Sequence, residues 1–169
     1  MIRRTLALLG LALILCSCVK DEPAKARTTW AGIFTLKASS NKDVFPEWNK
    51  VKRTKKIPSI LGTRFGIEYR LDDSAFEPLI PYRFVWRYPP QGQINPATNM
   101  KATYYQYEDF CINGRICQAS YRFDYDWEMV PGTWYAEVWI DDKRVMQKAF
   151  EIQGDKPQVH SMPPNVNSR

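Results

Sequence analysis

Apolar and polar residues alternate with a two-residue period over much of the chain, which is the pattern of strands with one buried face. Arg64 to Leu71 shows it most cleanly. Phe65, Ile67, Tyr69 and Leu71 share one face, opposed by Arg64, Gly66, Glu68 and Arg70. Pro81 to Tyr88 repeats the pattern with Tyr82, Phe84, Trp86 and Tyr88 against Arg83, Val85 and Arg87. From Thr133 to Ile140, Trp134, Ala136, Val138 and Ile140 face inward while Tyr135, Glu137 and Trp139 face the other way. Asp141-Asp142 then supplies a short polar turn, and Met146, Phe150 and Ile152 continue the inward face on a return strand.

Other stretches are less regular. Thr28 to Lys37 predicts a first strand with a bulge at Ala31-Gly32. Ala38 to Pro58 has no periodicity and reads as a long connection, as does the loop from Pro89 to Asn99. Asn113-Gly114, flanked by strand formers, predicts a hairpin with arms Lys101–Cys111 and Cys117–Glu128. In the second arm Tyr121, Phe123, Tyr125 and Trp127 would share a face against Arg122, Asp124, Asp126 and Glu128. No segment has a convincing helical period. About seven strands with frequent turns predict an all-β fold, an immunoglobulin-like sandwich of two antiparallel sheets, with a small barrel as the alternative. The antibody pattern of Cys, Trp and Cys across the sheets is absent.

The amino terminus changes the cellular picture. Arg3 and Arg4 precede an uncharged run whose apolar core is the length of a secretory signal, too short for a spanning helix of roughly 20 residues. It ends in Leu15-Cys16-Ser17-Cys18, which resembles a bacterial lipobox with Cys18 as the acylated residue. The expected organisation is a lipoprotein signal peptide (1–17), a lipidated tether (18–27), a β-sandwich domain (28–154) and a flexible tail (155–169). By analogy with lipoprotein sorting, Val19 after the anchor points to the outer membrane, facing the periplasm. Loss of Arg3 and Arg4 with the leader lowers the net charge from +6 to +4, too small an excess to signal nucleic acid.

In that oxidising compartment Cys111 and Cys117 are expected to form a disulfide across the hairpin, a local staple of about 2 kcal/mol. Their spacing does not match a redox pair, and no second pair completes a metal cage.

The stretches Ile57 to Leu71 (IPSILGTRFGIEYRL) and Val130 to Ile152 (VPGTWYAEVWIDDKRVMQKAFEI) resemble an uncharacterised group of bacterial envelope proteins, a domain of unknown function with an immunoglobulin-like fold. The resemblance spans Trp30 to about Ile152. It implies fold and compartment, and it transfers no catalytic residue.

Reactive chemistry is thinly represented. The single histidine, His160, lies in the Pro-rich tail, so a Ser/His/Asp triad has no well-placed base. Asp72-Asp73 and Asp141-Asp142 sit where turns favour Asp, and adjacent strand residues point to opposite faces. Asp124, Asp126 and Glu128 read as a solvated acidic face rather than a calcium loop. No catalytic residue, metal or cofactor is expected. The candidate binding residues are a basic run, Lys50, Lys52, Arg53, Lys55 and Lys56, and two outward rings, Tyr135 and Trp139, with Tyr105 and Tyr107 as further outward aromatics. The basic run suits either an anionic partner or an edge strand kept soluble by its charge. These features predict a non-catalytic, lipid-anchored envelope protein that presents its sandwich to another envelope component; the alternative is a module binding cell-wall or surface glycan through Tyr135 and Trp139.

Overall fold

The structure, a computed structural model, describes residues 24–36, 48–72 and 78–154. Its strands are β1 (Lys25–Leu36), β2 (Trp48–Arg53), β3 (Lys56–Ile57), β4 (Arg64–Asp72), β5 (Leu79–Arg87), β6 (Gln93–Asn95), β7 (Met100–Ala102), β8 (Tyr104–Ile112), β9 (Ile116–Arg122), β10 (Gly132–Ile140) and β11 (Lys143–Ile152). One sheet has the order β2-β1-β4-β9 and the other β3-β11-β10-β5-β8, while β6 and β7 form a separate ribbon. Every pairing is antiparallel except the short β11–β3 contact. Among the described residues nearly all regular structure is β, and the fold is an immunoglobulin-like sandwich.

The inward residues read from alternation make the core. Phe65, Ile67, Tyr69 and Leu71 of β4 face Phe84 and Trp86 of β5, Trp134, Ala136 and Val138 of β10, and Phe150 of β11, all at most 1% exposed. Phe65 sits at the centre, with Trp86, Phe123 and Phe150 each at a ring-centroid distance of 5.3 Å. Such tilted and edge-on contacts suit aromatic quadrupoles and add to the area that the rings bury.

Several local expectations are corrected. Strand β1 begins at Lys25, pairing with Asp72, so the last residues assigned to the tether belong to the sheet. Its irregularities fall between Thr28 and Trp30 and between Ile33 and Phe34, on either side of Ala31-Gly32. The supposedly aperiodic connection contains β2 and β3. An edge strand has one partner and little burial, so β2 carries charge in place of alternation. The loop after Pro89 contains the β6–β7 ribbon, turned by Asn95, whose Oδ1 accepts the Ala97 N–H at 2.9 Å, and by Asn99 at φ 53°.

The Asn113-Gly114 turn does not close a hairpin. Its incoming strand β8 pairs with β5 in one sheet, and its outgoing strand β9 pairs with β4 in the other. The Cys111–Cys117 disulfide, with Cα atoms 6.0 Å apart, therefore joins the two sheets at their shared corner. The second arm also stops early, at Arg122. There the Glu128 carboxylate accepts the N–H groups of Asp124 (2.6 Å) and Tyr125 (3.0 Å), drawing the chain into a 3-10 turn at Asp126–Glu128. Tyr125 consequently leaves the core, 59% exposed, and stacks on Trp127.

Candidate functional site

The ribbon, the 3-10 turn and the ends of β4, β8 and β9 line an open recess of about 670 Å³. Its floor is a bonded network around Tyr121. The Tyr121 hydroxyl donates to Glu128 Oε1 (3.2 Å), and Gln93 Nε2 donates to the Tyr121 oxygen (3.1 Å) and to the Glu128 carbonyl (3.0 Å). Tyr88 packs on Trp134 at 4.5 Å and meets Tyr121 edge-on. Burial pushes the Tyr121 phenol up to about 12, with the Glu128 carboxylate adding to the effect. Tyr88 is driven further up, again mainly by burial.

One wall is cationic. Arg64 and Arg122 are cross-strand neighbours on β4 and β9. The Arg64 guanidinium lies 4.2 Å from the Trp48 ring centroid and donates to Ser120 Oγ at 3.1 Å. Burial and the adjacent Arg122 charge lower its pKa from the ordinary arginine value. Arg122 Nε donates to Asp124 Oδ1 at 2.6 Å. The rim is apolar and open, with Met100, Tyr104 and Tyr105 all more than half exposed.

Within this recess the carboxylates are already engaged. Both Glu128 oxygens accept protein donors, and Asp124 is paired with Arg122. The Tyr88 and Tyr121 phenols hold their protons well above neutral pH. The arrangement offers rings, guanidinium groups and fixed polar atoms for binding.

Tyr135 and Trp139 lie elsewhere, half-buried on the outer face of the five-stranded sheet. The Trp139 ring lies beneath the guanidinium groups of Arg83 (5.6 Å) and Arg144 (6.0 Å), and its Nε1 donates to Glu137 Oε2 at 3.1 Å. Glu137, between the two rings, is fully buried. It also accepts from Arg87, Arg144 and Gln147 at 3.0–3.3 Å. Burial alone would raise its pKa, but hydrogen bonds from Arg87, Gln147 and Trp139 outweigh that and hold it low. Alternation marked Glu137 only as an outward polar residue. The signal for its role was the pair of cations that converge on it, Arg87 on one predicted strand and Arg144 on another; Arg83 instead pairs with Asp142.

The basic run is split between the sheets: Lys50, Lys52 and Arg53 lie on β2 at an edge of the four-stranded sheet, Lys55 follows it, and Lys56 begins β3 at an edge of the five-stranded sheet, two strands from Tyr135 and Trp139 on β10. Lys50 Nζ sits 2.5 Å from Glu68 Oε2, and the nearly buried Glu68 also accepts from Gln118 at 2.8 Å. Arg53 donates to the Thr29 carbonyl, while Lys52, Lys55 and Lys56 are exposed. Of the other aromatics, Tyr107 stacks on Phe84 and Tyr105 joins the rim of the recess. Cys18 and His160 lie outside the described residues. Among the described residues no His/Cys/Asp/Glu cluster could hold a metal ion, and no helix is long and apolar enough to cross a membrane.

No family model matches the chain, and no curated protein is significantly similar to it in sequence. Among solved structures it is similar to an immunoglobulin-like protein from Pseudomonas aeruginosa, with a TM-score of 0.61 and 20% identity over 79% of this chain and 99% of that one. That likeness establishes the fold. An alkylpurine DNA glycosylase from Pseudomonas fluorescens, bound to DNA containing an abasic site analog, overlaps 57% of this chain and 27% of its own at 15% identity and a TM-score of 0.35, too low to bear on fold or function.

Proposed function

We propose that this chain is a non-catalytic interaction module, anchored in the bacterial envelope through lipidated Cys18, which binds a protein component of that envelope in the recess beside Tyr121. The observation that carries the reading is the composition of the recess. Trp, Tyr and Arg, the residues that dominate protein-interface hot spots, line it, while its carboxylates are engaged in internal bonds. A partner segment entering there would meet rings and guanidinium groups already held in place, which lowers the ordering cost of binding. The basic edge at Lys50, Lys52, Arg53, Lys55 and Lys56 would supply longer-range attraction for an acidic partner or anionic headgroups.

The test is photo-crosslinking in cells, with the crosslinker at Met100 on the rim and, as control, at Lys143 on the β10–β11 turn. One abundant protein adduct from Met100, absent from Lys143, is expected. Identical patterns from both positions would sink the reading. Anchoring is tested separately, since Cys18→Ala should abolish lipid labelling and leave a folded domain.

A second reading, glycan binding, draws on the same recess rather than on Tyr135 and Trp139. The exposed Tyr105 and partly exposed Trp127 rings stand beside fixed polar groups, an arrangement that also suits sugar rings. Retention on cell-wall or surface glycan, lost on Trp127→Ala and without a protein adduct, would favour it.

A further inference from the structure

The described sheet edges are not equally protected. Strand β2 has Lys50, Lys52 and Arg53, and its register with β1 shifts between Ile33 and Phe34. Strand β3 is only two residues long. These are devices by which proteins keep sheet edges from pairing. Strand β9, the remaining edge of the four-stranded sheet, is seven residues long and ends on Arg122. Strand β8 is longer, and its only charges are the adjacent acids Glu108 and Asp109. It runs nine residues, YYQYEDFCI, without Lys, Arg, Pro or Gly, and its register with β5 continues without a shift from Leu79↔Ile112 to Arg87↔Tyr104.

The hydrogen-bond parity shows which groups are free. The Tyr88 N–H donates to the Thr103 carbonyl and the Asn113 N–H to the Pro78 carbonyl, fixing the phase of the β5–β8 ladder at both ends. Antiparallel bonding alternates, so odd-numbered residues of β8 bond to β5 while the N–H and C=O groups of Tyr104, Gln106, Glu108 and Phe110 point away. Of these, the Phe110 N–H is held by its neighbour Asp109 at 2.8 Å. Tyr104 and Phe110 also expose 51% and 64% of their surface.

From this edge we infer that two copies of the chain pair through β8, antiparallel about a twofold axis at Tyr107, joining their five-stranded sheets into one. The sequence is self-complementary in that register. Tyr104 falls opposite Phe110 of the second copy and Gln106 opposite Glu108 on the outer face. On the core side Tyr105 falls opposite Asp109, and Tyr107 opposite its own copy. Aromatic pairs and amide–carboxylate pairs stabilise such ladders, whereas like charges placed opposite destabilise them. Centring the axis on Glu108 would set two carboxylates against each other, so charge disfavours that register, and the Tyr107 register is preferred because it also sets Tyr104 against Phe110. In this dimer the Phe110 N–H exchanges Asp109 for the Tyr104 carbonyl of the second copy. The interface is isologous, as in most two-copy assemblies, and it borders the recess, since Tyr104 and Tyr105 belong to both.

The test uses full-length, membrane-anchored chains carrying single cysteines at exposed positions. Mixed copies of Gln106→Cys and Glu108→Cys should form an intermolecular disulfide under mild oxidation, and neither variant should link to itself. Gln106→Pro combined with Glu108→Cys, mixed with Gln106→Cys, should lower that yield at least tenfold, since Pro removes an outward donor and leaves the β5 ladder intact. Retained recess crosslinking by the Pro variant would show that it still folds. Self-linking by Glu108→Cys, or no linking in the mixture, would overturn the proposal.

Discussion

Arg87 spans the Glu137 carboxylate in a two-point contact, Nε to Oε1 at 3.3 Å and Nη2 to Oε2 at 3.2 Å, bridging β5 and β10 on the outer face of the sheet. Arg144 reaches the same carboxylate from β11 at 3.2 Å, so a single acid ties three adjacent strands together. Glu137 is fully buried while both arginine side chains are nearly half exposed, and that asymmetry governs what happens when the cluster is cut.

Removing the cations should therefore harm the fold more than removing the acid. In Arg87→Ala/Arg144→Ala, Glu137 remains buried with only Trp139 and Gln147 as donors, for an expected loss of about 3–5 kcal/mol. In Glu137→Gln the freed arginines can turn to water, and a loss of about 1–2 kcal/mol is expected. Urea unfolding at neutral pH measures both. Acid titration supplies the sign. The folded pKa of Glu137 is depressed, so its stabilisation is present above the unfolded value of about 4.3 and is lost as pH falls through the lower folded value. The Glu137→Gln protein should lack that part of the acid-induced loss; equal acid sensitivity of the two proteins would refute the assignment.

At the other end of the pH scale, the buried phenols set the limit. Burial raises Tyr82 and Tyr121 to about 12, above an ordinary value of 10. A phenol that holds its proton more tightly when folded contributes full stability below pH 10 and loses it as pH rises from about 10 to 12. Each should cost on the order of 2 kcal/mol across that interval. Absorbance titration should show a late tyrosinate phase, above pH 10, that coincides with loss of near-ultraviolet dichroism. A single phase near pH 10 with the fold intact would contradict the buried network.

Alternation was most legible where a strand has neighbours on both sides and one face on the core. Strands β4, β5 and β10 meet that condition, and their inward residues could be named in advance. Strand β2 could not be found this way because an edge strand buries little. The fate of Tyr125 and Trp127 was hidden for a different reason. A carboxylate three residues after Tyr125 ends the strand by capturing two backbone N–H groups, and an apolar period does not register that competition. The recess draws on β4, β8, β9, the ribbon and the 3-10 turn, so only the pairing order of the strands could reveal it. The Asn-Gly signal correctly marked a tight turn and the disulfide beside it, but turn chemistry alone does not say whether the two strands share a sheet.

That last distinction changes what reduction should do. Cys111 and Cys117 bridge the sheets, so breaking the bond frees the corner between β8 and β9 rather than loosening one ladder. Closing so short a loop is worth about 2 kcal/mol. Cys111→Ser/Cys117→Ser should lose that amount in urea unfolding and show faster amide exchange in both β8 and β9. Protection lost in only one strand would argue against an inter-sheet role. In the native protein neither thiol should be alkylated until reductant is added.

Gly66 offers the sharpest steric test, because it lies midway along β4, opposite Ser120 of β9 and Gly32 of β1. A Cβ there would lie 2.0 Å from the Ala119 carbonyl oxygen and 2.7 Å from the Ser120 Cα, both backbone atoms fixed by the β4–β9 ladder. Replacing Gly by Ala usually gains some stability by restricting the unfolded chain. At Gly66 the clash should reverse the sign, costing about 1–3 kcal/mol as the strands are forced apart. Gly62 is the matched control, since its added Cβ would meet no atom within 4 Å and only its φ of +79° opposes substitution. Gly62→Ala should therefore cost about 1–2 kcal/mol through backbone strain, felt at Phe123, whose carbonyl accepts the Gly62 N–H, and not at Ser120 within β9. The chemical shift of Ser120 discriminates the two mechanisms, moving in Gly66→Ala and not in Gly62→Ala. Arg64 pairs with Arg122 just beyond the clash, so Gly66→Ala should also disturb the arginine wall of the recess and weaken crosslinking from Met100.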